Sequence, residues 1–174
     1  MKSLKHYDIN ASSKRVAFDI GNVLCHVDID AFFQFLVDNY REFPNKEKAN
    51  LFLESIQAGQ DLGVLTMKFG LYQVFPYLDD KHIADICHAW TSTVTFSDPM
   101  MGLVEKLLTN NWKVALLSNI GRDHSEFVRG SHHVFDWCIR HFSCEVGARK
   151  PTKLYFQSFI QDSGWGVKHS SMIV

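Results

Sequence analysis

The 174-residue chain has only four cysteines, Cys25, Cys87, Cys138 and Cys144. They form no CxxC pair and no zinc-ligand spacing, so neither a disulfide framework nor a zinc module is expected. Reduced thiols in a cytoplasmic protein fit this usage best. No apolar run approaches the roughly 18 residues of a membrane span, and the polar stretch Met1 to Lys14 lacks the apolar core of a secretion signal. Charge of one sign is missing too. Eighteen Lys and Arg against nineteen Asp and Glu leave a net charge of −1, which excludes a nucleic-acid binder held by bulk electrostatics. What is present is apolar material, 46% of the chain, enough for a core and against global disorder.

Two apolar runs organise the reading. Arg15-Val-Ala-Phe-Asp19 and Lys113-Val-Ala-Leu-Leu117 are continuous rather than alternating, as in parallel strands covered on both faces. A third strand is expected within Phe135 to Phe142 and a fourth from Ser170 to Val174. Helices are expected between them. Asp98 reads as an N-cap with Pro99 at the first helical position, and Leu103, Leu107 and Leu108 as the inward stripe. Further helices are read over Arg122 to Arg129 and from Pro151 to about Ser163. Residues 28–95 differ in character. Asp30, Thr66 and Asp79 or Asp80 are candidate N-caps, helical periodicity recurs, and no convincing strand appears. At roughly 70 residues the block is too long for a loop. The expectation is therefore an α/β fold. A Rossmann-like parallel sheet is built from 15–27 and 96–174, and a helical insert of 28–95 follows the first strand.

Parallel sheets bind ligands at the carboxyl ends of their strands, where Asp19, Ser118 and Asn119 stand. A carboxylate at the mouth of an apolar strand is costly unless a metal ion, a lysine or backbone N–H groups pair with it. Asp19 reads as an N-cap or as a nucleophile or metal ligand. Gly21 is a turn glycine or a close approach for an anion. Ser118 and Asn119 are turn residues or phosphate contacts. Lys150 precedes Pro151 and adds positive charge near a helix start, while Arg149 reads as a solvated loop residue. The nine histidines show no HxxxH or HExxH spacing. Cys25 reads as a small buried thiol.

Taken in order, Phe18-Asp-Ile-Gly-Asn-Val-Leu24, Leu116-Leu-Ser-Asn119 and Gly147-Ala-Arg-Lys-Pro151 resemble the haloacid dehalogenase-like (HAD) superfamily of hydrolases. The likeness is nearest to its sugar-phosphate phosphatase-like branch and runs from about Arg15 to Val174. The resemblance implies that Asp19 is the nucleophile that forms an aspartyl-phosphate. It implies Mg²⁺ held by Asp19 and the Gly21 carbonyl. Phosphate contacts would come from Ser118, Asn119, Gly21 and Asn22. Lys150 would offset the charge on Asp19, and the helical insert would be a substrate-selecting cap. The implied substrate is a small phosphorylated metabolite, with sugar phosphates among the candidates. No membrane or nucleic-acid partner is expected, and no protein partner is specified.

Two departures stand out. The Asp that most members carry two residues after the nucleophile, as general acid and base, is Gly21 here, as in the branch named. The acidic pair of the fourth motif, a further Mg²⁺ ligand, does not appear within the 174 residues. Asp123 and Glu145 have no argument bringing them to Asp19. The absence leaves two expectations: a piece of a longer enzyme, favoured because the sequence stops within an apolar strand, or a degenerate relative that binds without turnover. A dehalogenase using Asp19 without metal is a third reading, disfavoured by Gly21-Asn22-Val23.

Overall fold

A computed structural model describes residues 14–165 and the short strand Met172–Ile173. The lead-in read before Lys14, and residues 170, 171 and 174 of the fourth strand, lie outside the described residues.

Four parallel strands form the main sheet: β1 (Arg15–Phe18), β4 (Lys113–Ser118), β5 (Ile139–Phe142) and β6 (Met172–Ile173), in the order β5-β4-β1-β6. The register of β1 on β4 runs from Arg15 opposite Lys113 to Phe18 opposite Leu116. Both faces of this pair are covered, which is why the two runs do not alternate. Val16, Phe18, Val114 and Leu116 face one core, with Val104 and Phe135. Ala17, Ala115 and Leu117 face the other, with Tyr155, Phe159 and Trp165. The alanines leave room there for three large rings.

The first core is closed by α5 (Asp98–Thr109), α6 (Arg122–Ser131) and a 3-10 turn over His133–Trp137; the second by α8 (Lys153–Ser163). A short helix α7 (Ser143–Val146) follows β5. The third strand falls inside the expected stretch, at Ile139–Phe142, with Phe135 in the 3-10 turn before it. Other local expectations are corrected. In α5 the N-cap is Ser97, Asp98 is the first helical residue, and the buried stripe is Met101 and Val104. Leu107 and Leu108 pack partly buried against this core as expected, while Leu103 is exposed. The last helix starts at Lys153 with Thr152 as its N-cap, not at Pro151.

Between β1 and β4 lies a block of four helices: α1 (Ile29–Asn39), α2 (Lys46–Asp61), α3 (Met67–Val74) and α4 (Asp80–Thr91). Their N-caps are Asp28, Asn45, Thr66 and Asp79, each accepting a backbone N–H of the first turn. Asp30 is therefore a first-turn acid and not the cap. The block has its own core, centred on Phe32, Leu36, Phe52, Leu71, Ile86 and Trp90. A two-stranded antiparallel ribbon, β2 (Cys25–Val27) with β3 (Val94–Phe96), carries the block on the sheet half. This ribbon was not expected, and Val94 and Thr95 fall in it. No helix among the described residues is long and apolar enough to cross a membrane.

Candidate active site

β1 ends at Phe18, so Asp19 emerges at the carboxyl edge of the sheet beside the end of β4. Its side chain is 37% exposed. The Lys150 ammonium donates to Asp19 Oδ2 at 2.6 Å and to the Leu117 carbonyl at 2.9 Å. Asp19 Oδ1 accepts the N–H of Ile20 at 2.7 Å. The carboxylate at the strand mouth is thus held by a lysine and a backbone amide, two of the partners its position called for.

Lys150 is itself fixed. Its N–H donates to Asn119 Oδ1 at 2.7 Å, and Asn119 Nδ2 donates back to its carbonyl at 2.9 Å. The Asn119 side chain thereby braces Lys150, using one of its two amide N–H groups. The Lys150-Pro151 peptide bond is cis. Ser118 is buried at the end of β4, where its carbonyl accepts from the Tyr155 hydroxyl at 3.4 Å. Burial pushes the Tyr155 hydroxyl far above its usual range, with the Asp19 charge adding to it.

The turn after Asp19 closes on itself. The N–H groups of Val23, Leu24 and Cys25 all donate to the Ile20 carbonyl, and that of Asn22 to the Cys25 carbonyl at 2.7 Å. Asn22 has a left-handed backbone with φ of 60° and is exposed. Its N–H is spent within the turn. A Cβ added at Gly21 would meet only Val27 Cγ2, at 3.9 Å. Cys25 is buried, its Sγ 3.4 Å from the Ile20 carbonyl, and burial pushes its thiol up to about 11. It stays protonated at neutral pH and offers no nucleophile.

Asp123 and Glu145 do not join Asp19. Asp123 Oδ2 accepts the Met67 N–H at 2.9 Å, and Glu145 pairs with Arg129. No group of three His, Cys, Asp or Glu placed to hold a metal occurs among the described residues.

The helical block reaches the same edge of the sheet, and sequence reasoning missed how. Arg122 Nε donates to the Gly63 carbonyl at 2.9 Å, and His124 Nε2 meets the Trp90 carbonyl at 2.9 Å. Gly63 is packed so closely that an added Cβ would stand 2.0 Å from the Cys144 carbonyl oxygen. Gln60 and Asp61 are 4% and 6% exposed, and Arg149 Nη1 stands 3.4 Å from Asp61 Oδ2. Arg149 therefore faces a buried acid and is not simply a solvated loop residue. Only the Thr66 cap and the glycine at 63 hinted at this tight turn in the sequence.

No protein-family profile matches the chain, and no curated protein does. Solved structures do. A HAD-family enzyme from Bacteroides thetaiotaomicron, 23% identical, superposes with a TM-score of 0.71 over 92% of this chain and 82% of that one. The same enzyme has been solved in complex with magnesium and inorganic phosphate. A HAD phosphatase from Thermococcus onnurineus, 16% identical, gives a TM-score of 0.62 over 92% of this chain and 75% of its own. The L-2-haloacid dehalogenase from Xanthobacter autotrophicus, also 16% identical, gives 0.60 over 92% and 68%. At such identities the likeness is one of architecture: the chain has the α/β fold of HAD-family enzymes.

Proposed function

We propose that this chain is a HAD-like, Mg²⁺-dependent phosphatase of small phosphorylated metabolites, acting through an aspartyl-phosphate on Asp19. The observation that carries the reading is the 2.6 Å contact of Lys150 with Asp19 at the carboxyl ends of β1 and β4. A carboxylate with no phosphoryl group to attack gains nothing from standing exposed at a strand mouth. One paired with a fixed lysine is ready to meet an incoming phosphate, because the cation offsets the charge of both.

Asp19 attacks phosphorus, the bond to the ester oxygen breaks, and the leaving alcohol takes a proton. Water then attacks the phosphoryl group, releasing phosphate and restoring Asp19. The Ser118 hydroxyl and the Asn119 backbone N–H are assigned to the phosphoryl oxygens, and Lys150 to their charge. With Gly21 in place of an acid, the leaving group draws its proton from solvent. Substrates with good leaving groups are therefore favoured. The helical block is assigned the role of a cap that excludes water and selects the substrate. Sugar phosphates are the favoured class, from the sequence likeness to that branch.

Asp19 and the Gly21 carbonyl are hard oxygen donors of the kind Mg²⁺ takes, and Mg²⁺ completes its shell with water and phosphate oxygens. They suit a metal bound together with the substrate. Bound there, Mg²⁺ would neutralise charge on the phosphoryl oxygens. The same donor set favours a second reading, binding of a phosphorylated ligand without turnover, since the described residues supply no cluster of further carboxylates.

Phosphate release from p-nitrophenyl phosphate and from a panel of sugar phosphates tests this, with MgCl₂ and with EDTA. Release that needs Mg²⁺ and disappears in Asp19→Asn is expected, together with one phosphoryl group on the rapidly quenched protein by intact mass. Unchanged release in Asp19→Asn overturns the assignment of the nucleophile. Ligand binding without release selects the second reading. Halide release from a 2-haloacid in EDTA would move the assignment to a dehalogenase.

A further inference from the structure

The seam between the helical block and the sheet half holds a charge that the proposed reaction does not use. Asp61, the last residue of α2, is 6% exposed. Its Oδ2 has no hydrogen-bond partner, and Arg149 faces it at 3.4 Å without the alignment of a hydrogen bond. Burial holds the carboxyl above its ordinary range, and Arg149 is the one opposing influence. For stability alone this is a poor arrangement, since a buried acid with a loosely placed partner is readily replaced by an uncharged residue. Its charge has to serve something other than packing.

Arg149 leads directly into the lysine at the site. The Arg149 carbonyl accepts both the N–H of Thr152 at 2.9 Å and its hydroxyl at 2.6 Å. The next residue, Lys150, is gripped by Asn119 on its N–H and its carbonyl. The turn that presents Lys150 to Asp19 is thus anchored to the sheet by Asn119, to α8 by Thr152, and to the helical block by the Arg149–Asp61 pair.

We propose that Asp61 is a positioning residue for Lys150: acting through Arg149, it sets the turn that carries the ammonium to Asp19, so the lysine is in place only while the helical block is docked. This rests on the reading of Asp19 and Lys150 as a phosphoryl-transfer pair. It adds that the block contributes to catalysis through charge at a distance, besides covering the site.

The test uses the full chain and p-nitrophenyl phosphate with Mg²⁺. Asp61→Asn lowers kcat by about tenfold or more, as a small misplacement of a catalytic group does, while KM stays within about twofold. Asp61→Glu recovers part of the loss. Arg149→Gln reproduces it, and Asp61→Asn with Arg149→Gln is no worse than either alone, because the pair acts as one unit. Arg122→Gln, which removes a different seam contact, leaves kcat close to wild type. Hydrogen–deuterium exchange at the Lys150 and Thr152 amides rises in Asp61→Asn and Arg149→Gln and not in Arg122→Gln. Equal losses of kcat in Arg122→Gln and Asp61→Asn overturn the proposal, since docking alone then matters. Strictly additive losses in the double variant overturn it as well. If the wild type hydrolyses nothing, the phosphatase reading fails by itself, and the exchange measurement still decides whether Asp61 holds the turn. Should Asp61→Asn not fold, Arg149→Gln carries the same expectations.

Discussion

Asn119 and Lys150 clasp each other through a two-bond ring, in which the asparagine amide satisfies both the N–H and the carbonyl of the lysine backbone. Thirty-one positions separate the two, yet this clasp converts the end of β4 into the support for the side chain that meets Asp19. The asparagine read from the sequence as a phosphate contact is, in the fold, also the bracket of the lysine.

Removal of the bracket gives the first prediction. Asn119→Ala leaves two backbone groups in a half-buried turn without partners, which costs about 1–3 kcal/mol. It also frees Lys150 to drift from Asp19. A displacement near 1 Å costs about 10²-fold in rate. Asn119→Ala should therefore resemble Lys150→Met in rate while still folding, with a thermal midpoint lowered by only several degrees. Parallel calorimetry and steady-state kinetics on the two variants check this.

Gly63 carries the second. Its backbone is left-handed, with φ of +73°, and a Cβ there would stand 2.0 Å from the Cys144 carbonyl oxygen. That oxygen belongs to rigid backbone, so the α2–α3 turn must lift away. Gly63→Ala should cost about 2 kcal/mol or more from strain and lost contacts. Because Asp61 ends the helix just before this turn and pairs with Arg149, activity should fall with it. Gly147→Ala is the control: its φ is +67°, but nothing lies within 4 Å of an added Cβ. Strain alone should make it the milder of the two in chemical denaturation.

Much of this was legible because the strands are buried on both faces. Val16-Ala-Phe18 and Val114-Ala-Leu-Leu117 announce themselves as unbroken apolar runs, and a functional residue at the end of such a run is already at the binding edge of a parallel sheet. Positions decided by backbone angles within one turn were less legible. Asp28 and Asp30 both place a carboxylate at the start of α1, and only the non-helical backbone of Asp28 makes it the cap. The ribbon of Cys25–Val27 with Val94–Phe96 is three residues on each side, too short to show a period. Leu103 misled because a leucine-rich helix allows more than one inward stripe. The seam was not legible at all. Asp61 and Arg149 look like surface charges until the fold brings them together, and no local pattern encodes that meeting.

The seam also sets a response to acid. His124 lies against Trp90 with the rings tilted by 34° and their centroids 4.4 Å apart, and its Nε2 meets the Trp90 carbonyl. Burial holds its imidazole below the ordinary 6.5, more than the Trp90 hydrogen bond and Asp123 raise it. Above 6.5 the ring is neutral folded or unfolded and adds no pH dependence. As pH falls below 6.5 the unfolded chain takes up the proton first, so stability is lost from there down to the depressed folded value. The fall in thermal midpoint between pH 7.5 and 5.5 should be smaller in His124→Gln, which keeps a donor for the Trp90 carbonyl and cannot titrate. An equal fall in both proteins would remove His124 as the source.

Gly21 supplies the last prediction. The resemblance places a general acid two residues after Asp19, and this chain has no side chain there. The backbone does not require glycine, since an added Cβ meets only Val27 Cγ2 at an ordinary 3.9 Å and no left-handed φ stands in the way. Gly21→Asp should therefore fold with a thermal midpoint near that of the wild type. If the missing acid limits the chemistry, the variant should hydrolyse alkyl phosphates faster, by up to about 10²-fold, because their alkoxides depart poorly without a proton. p-Nitrophenyl phosphate, whose leaving group needs little help, should change much less. The ratio of the two rates, measured against pH, separates this from a general change in binding. A gain for alkyl esters that fades as pH rises identifies the new carboxyl as a proton donor. Equal changes for both substrates would mean that the added charge acts on phosphate or Mg²⁺ binding instead.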